Sequence, residues 1–584
     1  MPIALQDSRR LTGPNIAWQY PGAVVDVTLD EDTAEQATLI WERTVRLMLD
    51  AVGWSREASC VRRVPGGASL VISAPIDALY AATEINEWAW SVVEAEYGGD
   101  PPPDLDEAAA RLRAVIADER RPSTIALRDA AIAHGVTFLS DDDEVSVGLG
   151  TGSRTWPVAE VPAPDTVDWS AIHDIPVVLV TGCNGKTTSI RLLSAIVAAA
   201  RYTPGLTSTD GIWVGSELVE PGDYSGPGGA RTVLRRPDVD VALLETARGG
   251  MLRRGLTLTR ADVALITNVA NDHLGEFGVS TLEGLARVKL LVTSVIGPTG
   301  RVVLNADDDS LVNGSGDVDA PIIWYSLTPD NPVVIRHRRA GGEVVVLEDG
   351  EVVRYVGNTR SSVMVVERIP ITIGGAARHN IHNVLGVVGV SGALGIADRD
   401  IAMALAGFKA SREDNPGRLN LFDVGGIQVI VDFAHNPHGV AALGEMTQAM
   451  PAKRRLFLIG QAGDRDDESI KELARAAWST EPDCIIVKEM PKYLRGREPG
   501  VIPAMIEGEL LASGAPAEAI VHADSELVGV RRAIAWGETG DLLLLTAHEH
   551  REEMLEFMTR LEAGPWKAGD PVPQFPSSLN SPVP

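Results

Sequence analysis

An unbroken apolar run over 175–180 stops at Thr181 and gives way to Gly182-Cys183-Asn184-Gly185-Lys186-Thr187-Thr188. Apolar residues then recur at helical spacing from Ile190. This change of period predicts a buried strand, a glycine-rich loop and a helix. Comparable strand runs at 239–245, 263–268 and 302–305 alternate with helical patterns up to about residue 308, the signature of a parallel sheet covered by helices on both faces. Residues 310–370 read as a β-rich insertion, with runs at 322–325, 333–337, 343–347, 352–356 and 364–369, and a helix follows 379–383. From about 412 the alternation resumes at 429–432, 456–460, 484–488 and 542–546, predicting a second, smaller Rossmann-like unit.

The N-terminal 165 residues follow a different pattern. A strand over 23–29 precedes Asp32 and Thr33 at the start of a helix closed by Gly53; a strand over 68–72, a helix over 77–97, the loop 98–104 and a helix ending at Arg121-Pro122 complete an α+β module. A linker rich in proline and acidic residues, 157–174, leads to the glycine-rich loop, and the Pro/Ser/Gly-rich tail from 564 predicts disorder. The expected architecture is therefore α/β: an α+β module over 1–165, a phosphate-loop domain over 166–411, a Rossmann-like domain over 412–563, and a tail.

Length and charge narrow the picture. A chain of 584 residues needs several cores. A net charge of −28 would repel nucleic acid and anionic membrane surfaces, which leaves small molecules or peptides as partners. The three cysteines, Cys60, Cys183 and Cys484, match no metal or disulfide spacing. No segment reaches the ~20 apolar residues of a membrane span and the N-terminus shows no secretory pattern, so the expectation is a cytoplasmic protein.

The strand–loop–helix at 175–190 is suited to polyphosphate. Glycines let backbone N–H groups close on the anion, the helix start favours negative charge, and Lys186 and Thr187 can reach phosphate and Mg²⁺. In parallel sheets ligands sit beyond the carboxyl ends of the strands. Glu245 and Asn268 end two neighbouring strands there and His273 follows closely. A carboxylate at that position suits Mg²⁺ beside the phosphates.

Val180 stands where the generic phosphate-loop pattern has its first glycine, and the form TGCNGKTT resembles the Mur ligase superfamily instead. ETARGG at 245–250, TNVANDHLG at 267–275, RHNIHN at 378–383, NPGR at 415–418 and DFAHNP at 432–437 agree in the same order. Longer phrases at 223–237, 243–256, 416–437, 463–473 and 494–500 are similar to the Mur-like half of the cyanophycin synthetase family, and 11–18 and 121–157 resemble its N-terminal module. The ATP-grasp domain that separates those parts in that family has no counterpart here.

The resemblance implies an ATP-dependent carboxylate–amine ligase that activates a carboxylate as an acyl phosphate and joins it to the amino group of an amino acid. It implies a cytoplasmic homo-oligomer using ATP and Mg²⁺, with no nucleic acid or membrane partner. By carry-over, Gly182, Asn184, Gly185, Lys186, Thr187 and Thr188 hold the phosphates, Thr187, Glu245 and His273 hold Mg²⁺, and Asn380 and Asn383 meet the adenine. Arg418, Asp432, His435 and Asn436 reach the nucleotide from the C-terminal unit. Lys289 stands where the family carries a carbamylated lysine, the alternative being an ordinary surface lysine of a helix. Ser208, Thr209, Asp210 and Arg248 are candidate substrate contacts. Cys183 replaces the usual threonine, either as a reactive thiol of lowered pKa or as a small space-filler. Two other readings stay open: a nucleotide-binding accessory protein, and a folylpolyglutamate-like or peptidoglycan-type ligase.

Overall fold

The computed structural model describes residues 3–272 and 274–575, so His273 lies outside the described residues. Strands labelled in chain order form four sheets among them. The N-terminal sheet pairs β1 (Ala4–Leu11), β2 (Gly22–Thr28), β4 (Gly67–Ser73) and β3 (Ser59–Val64) antiparallel, in that spatial order. Helices Glu31–Ala51 and Leu79–Gly98 bury one face of it, with Trp41 and Trp90 fully enclosed. Trp41 Nε1 donates to Asn86 Oδ1 at 2.9 Å, so this buried indole is satisfied within the core. A short sheet of β5 (Phe138–Ser140), β6 (Glu144–Val147) and β7 (Arg154–Pro157) follows, and 3₁₀ turns carry the chain to the glycine-rich loop.

The central sheet is larger than the sequence pattern suggests. Its parallel core runs β9 (Pro204–Ser208), β12 (Val241–Glu245), β8 (Val177–Thr181), β13 (Ala261–Ile266), β14 (Ile296–Asn305), β15 (Ile322–Ser326) and β16 (Glu343–Glu348). Antiparallel strands β10 (Gly211–Val214) and β11 (Glu217–Pro221) finish one edge, and β17 (Glu351–Val356) and β18 (Thr359–Val365) the other. The stretch expected as an insertion thus continues the same sheet. The strand expected at 333–337 is instead the helix Pro332–Arg339: Asn331 caps it by accepting from Val333 N at 2.9 Å, and proline opens its first turn.

The C-terminal sheet has the order β19 (Asn420–Val424), β20 (Ile427–Asp432), β24 (Leu542–Thr546), β21 (Arg455–Ile459), β22 (Cys484–Lys488), β23 (Ile520–Ala523). β19 is antiparallel to β20 and the other neighbours are parallel. The loops after its central strands open towards the carboxyl end of the central sheet, and one cleft lies between them. Among the described residues no helix is long and apolar enough to cross a membrane.

Disorder from 564 onward does not hold for the described part of the tail. Trp566, Val572 and Phe575 pack on the C-terminal core, with Phe575 4.3 Å from the buried Phe557 ring, while 576–584 lie outside the described residues. Composition reads these residues as polar tail because apolar side chains spaced among prolines show no period. Truncation after Ala563 should therefore uncover Phe557 and cost about 1–3 kcal/mol, read as a Tm several degrees lower in calorimetry. An unchanged Tm would show that the packing contributes nothing.

Candidate active-site cleft

The glycine-rich loop is shaped by two close approaches. Gly182 (φ +148°) and Gly185 (φ +84°) occupy backbone that side chains rarely adopt, and a Cβ would lie 1.8 Å from Thr267 Oγ1 or 2.2 Å from Asn383 Oδ1 respectively. The loop is tied to the residues after β13. Asn184 N donates to Asn268 Oδ1 at 3.0 Å, while Asn184 O accepts from Thr267 Oγ1 at 2.6 Å and Asn268 Nδ2 at 3.0 Å. Lys186 folds over the loop, its ammonium donating to the carbonyls of Gly182 and Cys183 at 3.0 Å each.

Beneath it Thr187 Oγ1 donates to Glu245 Oε2 at 2.9 Å, and Thr209 Oγ1 lies 3.3 Å from Thr187 Oγ1. Glu245 is buried, which raises its pKa, and its Oε1 has no hydrogen-bond partner. A buried carboxylate oxygen left over beside a hydroxyl is a donor set that suits a hard divalent cation. Lys289 also lines the cleft. It is 3% exposed and burial lowers its pKa, so the surface-lysine alternative is overturned.

Further along, the helix Arg378–Ala393 presents His379, Asn380, His382 and Asn383. Asn383 Nδ2 donates to Asn380 Oδ1 at 3.0 Å and Asn380 Nδ2 to Ile371 O at 3.1 Å, which fixes both amides. Burial lowers His379 to about 4 and depresses His382, leaving neutral rings, with His382 Nδ1 3.9 Å from Asp307.

The C-terminal unit closes the other wall. Arg418 lies over the Phe433 ring at 4.3 Å, its Nη1 buried without a partner. Asp432 accepts from Leu419 N and Ala434 N, both at 2.7 Å, and burial raises its pKa. His435, lowered to about 4 by burial, has Nδ1 3.2 Å from Phe433 O. Asn436 caps the helix Pro437–Ala449 through Gly439 N at 2.8 Å and donates to Asn184 Oδ1 at 3.0 Å. Asn415 Nδ2 reaches Thr188 Oγ1 at 3.3 Å. Asp210 is gripped by Arg191 at 3.4 Å and by Arg551 from the opposite wall. Despite burial, which acts the other way, Arg418, Arg551 and Arg191 hold its carboxyl below the usual range.

The sequence candidates among the described residues therefore gather round one cleft of about 920 Å³, except that Ser208, Asp210 and Asn436 do not line it; Asp210 and Asn436 instead bond residues that do, Arg551 and Asn184. Ser208 is fully buried and serves its own turn, accepting from Asp210 N and donating to Gly211 O, so it does not line the cleft. Arg248 does line it, paired with Glu276. Sequence reasoning missed Asp307, Asp308, Arg465, His548 and Arg551, all of which line it as well. Each follows a parallel strand closely, so the strand-end rule applied to every strand finds them.

Cys183 settles its own alternatives. Its thiol donates to Ala270 O and accepts from Ala270 N, both at 3.2 Å, and burial raises rather than lowers its pKa.

A glycine-rich loop at the carboxyl end of a parallel sheet, faced by a second parallel-sheet unit, defines a two-walled phosphate-loop protein. Residues 180–391 match the Mur ligase middle domain and 417–548 the Mur ligase, glutamate ligase domain, together more than half of the chain. The chain belongs to the Mur ligase family. It is 39% identical to a cyanophycin synthetase of Synechocystis sp. over 64% of this chain and 42% of that one. It is 26% identical to the UDP-N-acetylmuramoyl-L-alanyl-D-glutamate–2,6-diaminopimelate ligase of Geobacter metallireducens, over 65% of this chain and 74% of that one. It thus spans less than half the length of the cyanophycin synthetases it matches. Among solved structures, the E. coli FolC complex with ADP superposes with TM-score 0.47 at 18% identity, over 66% of this chain and 88% of that one.

The cleft geometry predicts thiol behaviour. In the native chain a disulfide reagent at pH 8 should modify Cys60 alone, because Cys60 is only partly buried whereas Cys183 and Cys484 are buried out of its reach. Cys60→Ser should abolish the native reaction, and all three cysteines of the wild-type chain should react in denaturant; native labelling of Cys183 by mass spectrometry would contradict the packing.

Proposed function

We propose that this chain is an ATP-dependent carboxylate–amine ligase. One observation carries the reading: the Lys186 loop, the Thr187–Glu245 pair with its unpartnered oxygen, and the Arg418 wall face a single cleft. The γ-phosphoryl group of ATP passes to a substrate carboxylate, and the amino group of an amino acid then displaces phosphate to leave an amide, ADP and phosphate. Such a transfer needs oriented reactants and positive charge around the phosphoryl oxygens more than it needs a protein nucleophile. Lys186 supplies one such charge from the loop, and Arg418 a second from the facing wall.

Thr187 and Glu245 would hold Mg²⁺, which when bound offsets the charge of the phosphates. Lys289, whose burial favours the neutral amine, is assigned the role of the carbamylated lysine. Asn380 and Asn383 are assigned to the adenine, and Asp432, His435 and Asn436 to the far side of the nucleotide. Thr209, Asp210 and Arg248 are assigned to the substrate side. His273 keeps its assignment to Mg²⁺ on the motif alone. The similarity to cyanophycin synthetases supports an aspartate-containing acceptor and an amino-acid donor, in a cytoplasmic homo-oligomer.

Phosphate release from ATP and Mg²⁺ should require a carboxylate and an amine together, and mass spectrometry should show a new amide. Lys186→Ala should lower kcat by roughly 100-fold or more with Tm unchanged. Tight nucleotide binding without turnover for any pair would favour an accessory protein instead.

Gly185→Ala offers a test of the cleft's fit. Its Cβ would strike Asn383 Oδ1, so ADP affinity should fall at least about tenfold, the equivalent of ~1.4 kcal/mol, in calorimetric titration. Gly228→Ala, with nothing within 4 Å, should leave it unaltered.

A further inference from the structure

The N-terminal sheet is docked on the two segments that form one wall of the cleft. Thr12 N donates to Arg254 O at 2.8 Å and Leu256 N to Pro14 O at 2.7 Å, and a Cβ on Gly13 would lie 2.2 Å from Leu256 O. This ties the sheet to the helix Arg248–Arg254, whose first residue faces the cleft. The second contact is at the turn 275–279. There Gly275 (φ +95°), Phe277 (φ +51°) and Gly278 (φ +67°) are all left-handed.

For phenylalanine that conformation costs about 1–3 kcal/mol unless its surroundings impose it. Here they do. Arg62, from β3, donates to Phe277 O at 3.1 Å; Arg9, from β1, lies 5.4 Å from the Phe277 ring and Arg253 5.6 Å; Val64 fills the space at Gly278, where a Cβ would come within 2.3 Å. The neighbour of Phe277 in the chain is Glu276, which faces the cleft, pairs with Arg248 and lies 3.9 Å from Arg465 of the C-terminal unit. Arg465 is also 4.0 Å from Asp272.

We propose that the N-terminal module is a working part of the ligase site: Arg62 and Arg9 impose the 275–279 turn, and so set Glu276 and Arg248 where the C-terminal unit docks through Arg465. Arg62, Arg9 and Phe277 are positioning residues, since none of them lines the cleft. The module therefore acts on turnover through the wall it supports, whatever else its outer surface binds. The kinetic half of this proposal rests on the ligase reading; the positioning half does not.

The experiment uses the full chain and two measurements. Hydrogen exchange followed by mass spectrometry compares wild type with Arg62→Ala, Arg62→Lys and Gly278→Ala, the last forcing the seam from its other side. Exchange over 275–279 and 248–256 should quicken about tenfold in Arg62→Ala, as expected for the loss of one charged hydrogen bond. Exchange over 186–199 should not change. Arg62→Lys, which keeps a cationic donor, should restore most of the protection, and Gly278→Ala should reproduce the loss.

In phosphate-release assays kcat should fall with the same ranking while KM for ATP stays constant. Unaltered exchange at 275–279 in both Arg62→Ala and Gly278→Ala would overturn the proposal. So would quickened exchange with an unchanged kcat, because the seam would then be structural only. A wild-type chain that turns over no substrate pair would sink the ligase reading, with the exchange result still deciding the positioning.

Discussion

The structure depends on how Asn184 is held. A strand that ends in a phosphate loop must leave its backbone N–H groups turned towards a ligand, so the loop cannot satisfy its polar groups within itself. The residues after β13 supply the missing partners through Thr267 and Asn268, and the side chain of Asn184 is left to face the second wall. There Asn436 donates to its Oδ1 and His438 Nδ1 lies 3.1 Å from its Nδ2. One asparagine therefore joins loop, central sheet and C-terminal unit. Each bond has a net worth of only about 1 kcal/mol, but an unmade bond at a buried junction costs more than a made one contributes.

The facing wall is fixed by a different device. Lys488, at the end of β22, and Glu526 are both fully buried, and Lys488 Nζ donates to Glu526 Oε2 at 2.6 Å. The same carboxylate accepts the backbone N–H groups of His548 and His550, each at 2.8 Å. A buried ion pair is poor evidence of net stability, because desolvation offsets most of its attraction. Its structural effect is clearer: it holds the turn after β24, from which His548 donates through Nε2 to Ala434 O at 2.9 Å and Arg551 reaches Asp210. Polar groups with few alternative partners thus place the cleft residues of both walls, and apolar packing supplies the rigid sheets behind them.

That division explains what could be read from the sequence. The continuous apolar runs at β8, β12, β13 and β14 are visible because strands covered on both faces have no reason to alternate. The glycines at 182 and 185 are visible because no other residue fits there. The helix at 332–339 is not visible by period, since VVIRH reads equally well as a strand, and only the Asn331 cap decides. Arg465 and Arg551 follow their strands closely enough for the strand-end rule to mark them, but what they pair with across the cleft is not legible in the sequence. Their role depends on which wall faces which, a long-range fact that no local pattern carries. Ser208 misled for the converse reason: it sits in the right stretch, but its hydroxyl is spent on its own turn. Lys289 is an intermediate case, because the family resemblance pointed to it while the local pattern could not tell a surface amine from a buried one.

The two walls of the cleft come from separate sheets. On the proposed ligase reading an acyl phosphate is lost to water unless water is kept out, and a site built on one sheet alone stays open above the strand ends. Ala377 of the central unit is packed into the C-terminal apolar core, and around the cleft the walls meet through polar contacts: Asn184 with Asn436, Asp210 with Arg551, Asn271 with Glu472 at 3.0 Å, and Arg465 beside Asp272 and Glu276. The polar contacts can form and break without unpacking the sheets behind them. Their placement on loops after parallel strands puts them at the rim of the reacting volume. On the proposed ligase reading, such contacts let the two walls complete the site together. The N-terminal sheet holds the turn 275–279 of that rim through Arg62 and Val64, and so gives the C-terminal unit a fixed surface at Glu276 for Arg465 to meet.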